Sequence, residues 1–399
     1  MKNTINELEA YYRTYYGKVS VDNAQYAIVD FNEKWQLIMG TPIDSSDDCL
    51  SKYGCALIIY SFSVFTYENV ELERVKHVES LINNFDDNPN VKNLFNVKSV
   101  LFFNLGYCWY KLGSSYHNEA VNVLKKSLYY RITFFSNNSY RPRAYAFRKC
   151  NTYLYHSLVN EQLNLSSPVT FNDPFDCPIL KVFNTDDGIS SLILEAFKNL
   201  KVTCFSSNNR LPYMKFFQDS SCQVIKEGKK SKKSPKEFLN TLMWAHYADS
   251  HKGICIQYHF SDFLEYMGNN NPGKSVCFSD VKYMTDMKNR FITANSLNFE
   301  DAFFIKSMQW KYENELRLLY YDIDDCCEHG SLSIPNSIEA IYFGLNCSER
   351  DRKAILQIMR CKKFVLKDIC GKLLQESPVQ FFNIVRDDKH FGKLKAIKL

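Results

Sequence analysis

Apolar residues recur at helical spacing through the first third of the chain and give way to short apolar runs after it. Leu72, Val75, Val78, Leu81 and Ile82 fall on one helical face, and Asp86-Asp87-Asn88-Pro89 stops that helix and caps the next. The clearest helical stretch is Leu101 to Tyr130. It predicts a hairpin in which the small residues Gly106 and Ala120 sit where two helices approach closely. Ser136 to Arg143 (SNNSYRPR) is a polar, Pro-containing break, and a domain boundary is expected just after it, dividing residues 1–149 from 150–399. Beyond that point a strand is predicted at Asn151–Leu158 and a short apolar run at Leu163–Leu165. Further strands are predicted at Val202–Phe205, Gly253–Tyr258, Leu316–Tyr321 and Ala340–Phe343. Helices are expected around Ser190–Asn199, Pro235–Tyr247, Ser296–Lys306 and Glu349–Arg360. Strands and helices are interspersed, and the strand runs alternate or are short. This argues for an α+β fold behind an all-helical front part rather than a doubly wound parallel sheet.

Composition adds boundaries to this picture. Hydrophobic residues make up 45% of the 399 positions and aromatics 15%, enough for a large, ring-rich core. A net charge of +5 gives no global field of the kind that coats nucleic acid. The 14 cysteines are scattered without a CxxC pair, and the chain opens on the polar MKNTINELEA, so reduced thiols in the cytoplasm are expected. No run approaches the ~18 apolar residues of a membrane span, and no membrane partner is expected. Lys226 to Lys236 (KEGKKSKKSPK) reads either as a solvated insertion or as a contact for nucleic acid or pyrophosphate. Phosphate loops of the GxGxxG or GxxxxGK type are missing from the sequence.

The candidate chemistry sits in the second part. In chain order come Tyr153-Leu154-Tyr155-His156, then Phe171-Asn172-Asp173-Pro174-Phe175-Asp176, then Cys204-Phe205-Ser206. WAHYADSHKG from Trp244 to Gly253 follows, and last comes Lys306-x3-Trp310-x-Tyr312-Glu313-Asn314-Glu315-Leu316-Arg317. On a strand, Glu313 and Glu315 would share a face, with Arg317 following on it. Two carboxylates on one face are tolerated best where a cation, a metal or a sugar hydroxyl will sit, although ion pairing with Arg317 or Lys306 accounts for the pattern equally. His156, placed at the end of a strand, could hold an anionic or ribose group or be a packed core imidazole. FNDPFD is either a structural turn or a loop that brings Asn172 and Asp176 to a pocket. His246 and His251 are five apart and diverge by about 140° on a helix, which argues against a shared metal. His246 then reads as a pocket acid or a buried imidazole. Gly253 suits a tight turn or a left-handed cap.

Taken together and in this order, FNDPFD, WAHYADSHKG and the Lys306–Arg317 string resemble the bacterial domain-of-unknown-function family numbered 2971, over roughly residues 150–350. The Leu101–Tyr130 hairpin resembles a tetratricopeptide-type unit. The second part is also similar to the three-point site of ADP-ribosyltransferases: a basic or imidazole group ending the first strand, Ser or Thr on a following one, Glu-x-Glu on a late one. That resemblance implies a fold of the same kind and NAD as the substrate. It implies catalytic roles for Glu315, Glu313 and His156, with Ser206 or Ser166 as the supporting hydroxyl and Tyr155, Tyr247 or Phe171 as stacking rings. Asn172, Asp176, His246 and Arg317 complete the expected binding set. It further implies a macromolecular acceptor, protein or nucleic acid, with the helical part sensing a trigger or binding a protein partner, a layout suited to a bacterial stress or anti-phage effector. Two other functions fit the same residues. One is a metal-dependent nuclease, with Asp173, Asp176, Glu313 and Glu315 holding Mg2+ beside Lys306. The other is a non-catalytic module that binds a nucleotide or a protein.

Overall fold

The computed structural model describes residues 69–137, 143–171, 188–207, 237–260, 273–285, 303–367 and 373–399, with short pieces between 53 and 65 and at 173, 176 and 177. Asn172, Phe175 and the basic run Lys226–Lys236 lie outside the described residues. The chain divides into two compact units. The first takes Met1–Phe134 with Thr185–Lys198, and the second takes Phe135–Asn184 with Asn199–Leu399. The division falls earlier than residue 149, and a segment from beyond that residue, Thr185–Lys198, joins the first unit.

In the first unit, helix α1 (Leu72–Asp86) precedes α2 (Phe95–Lys111) and α3 (His117–Asn137). Helices α2 and α3 form an antiparallel hairpin: Trp109 meets Tyr116, the Ser127 hydroxyl donates to the Ser99 carbonyl at 2.7 Å, and Phe102 stacks on Tyr130. Gly106 is required by proximity, because a Cβ there would lie 2.7 Å from Leu124 Cδ2. Between the helices Gly113 takes φ +104°, a conformation that favours glycine.

The second unit opens with a strand where the sequence pattern predicted none, β1 (Arg143–Arg148). The segment expected to be the first strand, Asn151–Leu158, is instead helix α4 (Thr152–Asn160). The Asn151 side chain caps it, accepting from the Leu154 amide at 2.9 Å, and Leu154 and Leu158 bury one face at i,i+4 spacing. Strand β2 (Gln162–Ser166) follows. Helix α5 (Gly188–Phe197) belongs to the first unit, where Glu195 pairs with His117 at 2.9 Å. Next in the second unit come β3 (Leu200–Ser206), α6 (Thr241–Tyr247), β4 (Ile254–His259), β5 (Lys274–Asp280), β6 (Lys282–Met284) and β7 (Ile305–Ser307). They are followed by β8 (Glu315–Asp322), β9 (His329–Ser333), β10 (Ile338–Phe343) and α7 (Glu349–Met359). A hairpin of β11 (Lys363–Lys367) and β12 (Leu373–Pro378) precedes β13 (Gln380–Arg386) and β14 (Leu394–Lys398). The helix expected over Ser296–Lys306 is corrected at its described end: Lys306 lies on β7, paired in parallel with β6.

The main sheet runs β14-β13-β10-β4-β1-β3-β2-β9, and β8 bridges β3 and β5. Its pairings are antiparallel except for β10 with β13. Alternation sorts the side chains: Ala144, Ala146, Ile254, Ile256, Ile341 and Phe343 enter one core with Leu158 and Ile355 from the helices. Tyr145, Phe147, Cys255, Ala340 and Tyr342 enter the other, against Trp244. The regular pairing breaks down at β3. This strand pairs with β8 along its whole length, from Leu200↔Tyr321 to Ser206↔Glu315, but meets β1 only at Tyr145↔Ser206 and β2 only at Ser166↔Val202. The sheet therefore forks between β1 and β3.

Candidate functional site

The fork opens a cleft of about 490 Å3 in the second unit. Its walls come from β1 (Tyr145, Phe147, Arg148), β2 (Asn164, Ser166), β3 (Val202–Ser206) and α6 (Met243, Tyr247). Thr170, Phe171, Asp173, Asp176, Lys306, Trp310, Glu313 and Glu315 complete it. Cavities of this size are typical of small-molecule sites.

Glu313 and Glu315 meet the cleft by a route that strand periodicity does not describe. Glu313 ends a 3-10 turn (Met308–Glu313), Asn314 takes the left-handed conformation at φ 42°, and Glu315 begins β8. The kink, rather than a two-residue pleat, turns both carboxylates toward Lys306. The Lys306 ammonium donates to Glu313 at 2.8 Å and to Glu315 at 3.1 Å, and it lies 3.5 Å from Asp176. Behind them Arg317, 0% exposed, donates through Nε to Glu315 at 2.7 Å and through Nη2 to both Asp176 oxygens at 2.7 and 2.8 Å. Its Nη1 donates to the Phe303 carbonyl at 2.6 Å, and its plane lies 5.3 Å from the Phe171 ring. Asp176 thus fastens the FNDPFD string to β8.

Three carboxylates face two cations here, and the proton affinities separate accordingly. Burial alone would raise Glu315, but Arg317 and Lys306 outweigh it and hold the carboxyl at about 2. Burial raises Glu313, and the lowering by Lys306 and by the Tyr247 hydrogen bond does not cancel it. Burial also opposes the charge on Lys306, yet the surrounding Glu315, Glu313 and Asp176 raise its affinity for a proton. Tyr247 donates its hydroxyl to Glu313, and burial followed by that bond pushes the phenol up. Two adjacent carboxyls with opposed shifts are the arrangement in which one stays ionised while the other takes up a proton more readily.

The supporting groups differ from those expected. The Ser206 hydroxyl lines the cleft but donates to the Glu313 backbone carbonyl at 2.6 Å, fixing the turn rather than a carboxylate. The thiol of Cys204, on the neighbouring strand, lines the cleft beside Glu315, whose charge, after burial, raises its proton affinity. Ser166, Phe171 and Tyr247 line the cleft as well.

Four residues expected at the site lie elsewhere. His156 is exposed on α4, with Nδ1 3.0 Å from the Gln162 amide, because the segment is a helix and not a strand ending at the cleft. Tyr155, on the same helix, donates to Asp351 at 2.7 Å. His246 is exposed at the end of α6, with its ring 6.0 Å from that of Tyr312. Arg317 lies behind the cleft and acts through Glu315 and Asp176. The basic residue that does end the first strand is Arg148, half-buried and lining the cleft. The alternation in RAYAFR, small inward to one core and aromatic to the other, was the signal that could have found it. Lys306 and Trp310, 5.0 Å apart, also line the cleft; the sequence placed Lys306 only as an ion-pair partner or beside a nuclease metal, and Trp310 not at all.

Apart from Tyr247, which lines the cleft, the WAHYADSHKG string supplies packing and a turn. Trp244 is fully buried, donates to the Phe238 carbonyl at 2.8 Å and stacks on His251. Asp249, Ser250 and His251 are all left-handed, at φ 49°, 52° and 68°. Gly253 is not, and its requirement is closeness: a Cβ would lie 2.1 Å from the Arg148 carbonyl oxygen. Among the described residues no three His, Cys, Asp or Glu side chains are grouped to hold a metal ion. Asp176, Glu313 and Glu315 are instead held by Lys306 and Arg317. Among the described residues no helix is long and apolar enough to cross a membrane.

No curated protein and no solved structure matches the chain significantly. One family model does, described as "Protein of unknown function (DUF2971)", over residues 243–318. That span contains WAHYADSHKG, both glutamates, Lys306 and Arg317, while FNDPFD lies before it. Residues 243–318, which supply Lys306, Glu313 and Glu315 to the cleft, are thus the part of the chain that is similar to the DUF2971 family.

Proposed function

We propose that the second unit binds NAD in the forked cleft and breaks its nicotinamide–ribose bond, passing ADP-ribose to water or to a macromolecular acceptor. The observation that carries this reading is the meeting, in one cleft, of a first-strand arginine (Arg148) with two carboxylates of opposed proton affinity. Arg148 suits the pyrophosphate, and the strand edges that diverge at the fork offer backbone groups to an amide such as that of nicotinamide. In the reaction the bonding pair leaves with the nicotinamide nitrogen, and ribose C1′ becomes oxocarbenium-like. Glu315, held ionised, stabilises that positive charge, an electrostatic contribution of the kind that is large in a water-poor site. Glu313 takes the proton of the attacking hydroxyl or other nucleophile as the new bond to C1′ forms. Trp310 and Tyr247 form the rim through which the acceptor approaches. The helical unit, with its tetratricopeptide-like hairpin, would then sense a trigger or bind a protein partner, in keeping with an effector of stress or phage defence.

The test is nicotinamide release from NAD by the purified chain, with Glu315→Gln and Arg148→Ala alongside. Glu315→Gln is expected to lower turnover by about 10²–10³-fold, as loss of one electrostatic stabiliser does, and Arg148→Ala to raise KM. Neither binding nor turnover of NAD, with water or with protein and nucleic-acid acceptors, would end this reading.

A further inference from the structure

Beside Arg148, the ends of three strands are stacked backbone on backbone. Arg148 on β1 and Phe343 on β10 both lie opposite Ile254, the first residue of β4 between them. Past that level two glycines close the stack. A Cβ on Gly253 would lie 2.1 Å from the Arg148 carbonyl oxygen, and one on Gly344 would lie 2.2 Å from the His251 carbonyl oxygen. Amides reinforce it: Gly344 donates to the Gly253 carbonyl at 3.0 Å and Asn346 to that of His251 at 2.9 Å. With no side chains between them, the segments leaving β1 and β10 converge, and each carries a cysteine. The Cys150 thiol reaches the Lys252 carbonyl, 4.0 Å away, and Cys347 immediately precedes Ser348, the N-cap of α7. The two thiols are electrostatic neighbours, and the Cys347 thiol also donates to the Ser348 carbonyl at 3.8 Å.

We propose that Cys150 and Cys347 form a peroxide-responsive pair that closes to a reversible disulfide. The surroundings divide the labour. Cys347 sits at the start of a helix and near the guanidinium of Arg352, and both favour a thiolate. Its affinity for a proton is lowered first by Cys150 and also by Arg352, against burial and the nearby carboxylates of Asp351 and Glu349. At 8% exposed it admits only a small oxidant. The Cys347 thiolate attacks one oxygen of a hydroperoxide, the O–O bond breaks, and a sulfenic acid and hydroxide (or alkoxide) result. Cys150 then attacks the Cys347 sulfur and gives up its proton, water leaves, and the S–S bond forms. Both cysteines are oxidised and the peroxide is reduced. The bond fastens the residue two positions after Arg148 to the head of α7. The pair stands on its own geometry, whatever the cleft binds.

The experiment is a titration of the reduced, full-length chain with hydrogen peroxide, followed by alkylation and peptide mapping without reductant. A linked peptide joining Cys150 to Cys347 is expected as the first disulfide to appear, and dithiothreitol should remove it. In Cys150→Ser, at a half-buried position, a dimedone adduct should accumulate on Cys347; in Cys347→Ser, Cys150 should stay alkylatable. The proposal is overturned if the exposed Cys326, Cys327 or Cys361 oxidise while Cys150 and Cys347 remain free. It is equally overturned if Cys347 in the Cys150→Ser chain forms no sulfenic acid.

Discussion

Replacing Arg317 by methionine keeps much of the side chain's volume and removes only its charge and donors. The guanidinium is fully buried and makes bonds of 2.7 and 2.8 Å to Asp176, 2.7 and 3.2 Å to Glu315, and 2.6 Å to the Phe303 carbonyl. Its loss leaves two sealed carboxylates with Lys306 as the cation beside them. Removing one side of a buried pair costs about 3–5 kcal/mol, most of it the stranding of the partner. A second route gives a similar figure. A carboxyl held at about 2 rather than 4.5 represents about 3 kcal/mol of folding free energy. For a domain of this size each kcal/mol moves the melting midpoint by roughly 2–4 °C, so Arg317→Met should melt about 10 °C below the parent at neutral pH. The pH dependence has a definite sign. In the parent, Glu315 is depressed, so its contribution is complete above 4.5 and is lost as pH falls toward about 2. In the variant, burial unopposed by Arg317 raises Glu315, so the buried charge is relieved by protonation and stability is regained as pH falls. The deficit should therefore shrink between pH 7 and pH 4. Circular dichroism melts of both proteins at the two pH values measure this. A midpoint change under about 2 °C, or a deficit that is constant with pH, would refute the account of Arg317 as the counter-charge that keeps Glu315 ionised.

The cleft and its supports lead to two further outcomes. Tyr247→Phe removes the hydroxyl that donates to Glu313 and lowers its proton affinity, so Glu313 should titrate at higher pH than in the parent. The acidic limb of any pH–rate profile that depends on ionised Glu313 should move upward, and a carbonyl-region infrared titration against Glu313→Gln would read the shift directly. Gly253→Ala places a methyl 2.1 Å from a backbone oxygen, which no rotamer can relieve. Destabilisation by about 1–3 kcal/mol is expected, as for overpacking elsewhere, and urea unfolding of Gly253→Ala beside Gly273→Ala would separate crowding from strain. Gly273 has φ +83° and only loose neighbours, 3.9 Å away.

The elements legible from sequence were those in which one signal dominates. Strands β3, β4, β8 and β10 and helix α7 are apolar runs or clear amphipathic repeats, and they stand where periodicity put them. Thr152–Asn160 misled because Tyr-Leu-Tyr favours a strand by composition; the Asn151 cap and the i,i+4 pair of Leu154 and Leu158 decided the matter the other way. That single misreading moved the first strand by about one element and put His156 where Arg148 stands. Glu313 and Glu315 were found as a pair, but for a reason that fails: the left-handed Asn314, not a strand pleat, makes them neighbours. Lys306 was expected on a helix, and its place between three carboxylates depends on β7 pairing with β6, which no local pattern announces. The fork between β1 and β3 is likewise a tertiary outcome, since nothing within RAYAFR or LKVTCFS says that the two strands touch at one residue only.

The ionic cluster draws on Asp176, Lys306, Glu313, Glu315 and Arg317, and the strand that carries two of them lies between β3 and β5. During synthesis Arg148 and Ser206 leave the ribosome long before Arg317 does. A partly made chain thus has one wall of the cavity and neither its acidic pair nor the strand that seats it. The acidic side of the cleft therefore cannot assemble on the nascent chain until β8 has emerged and paired, so whatever the cleft binds waits on most of the second unit.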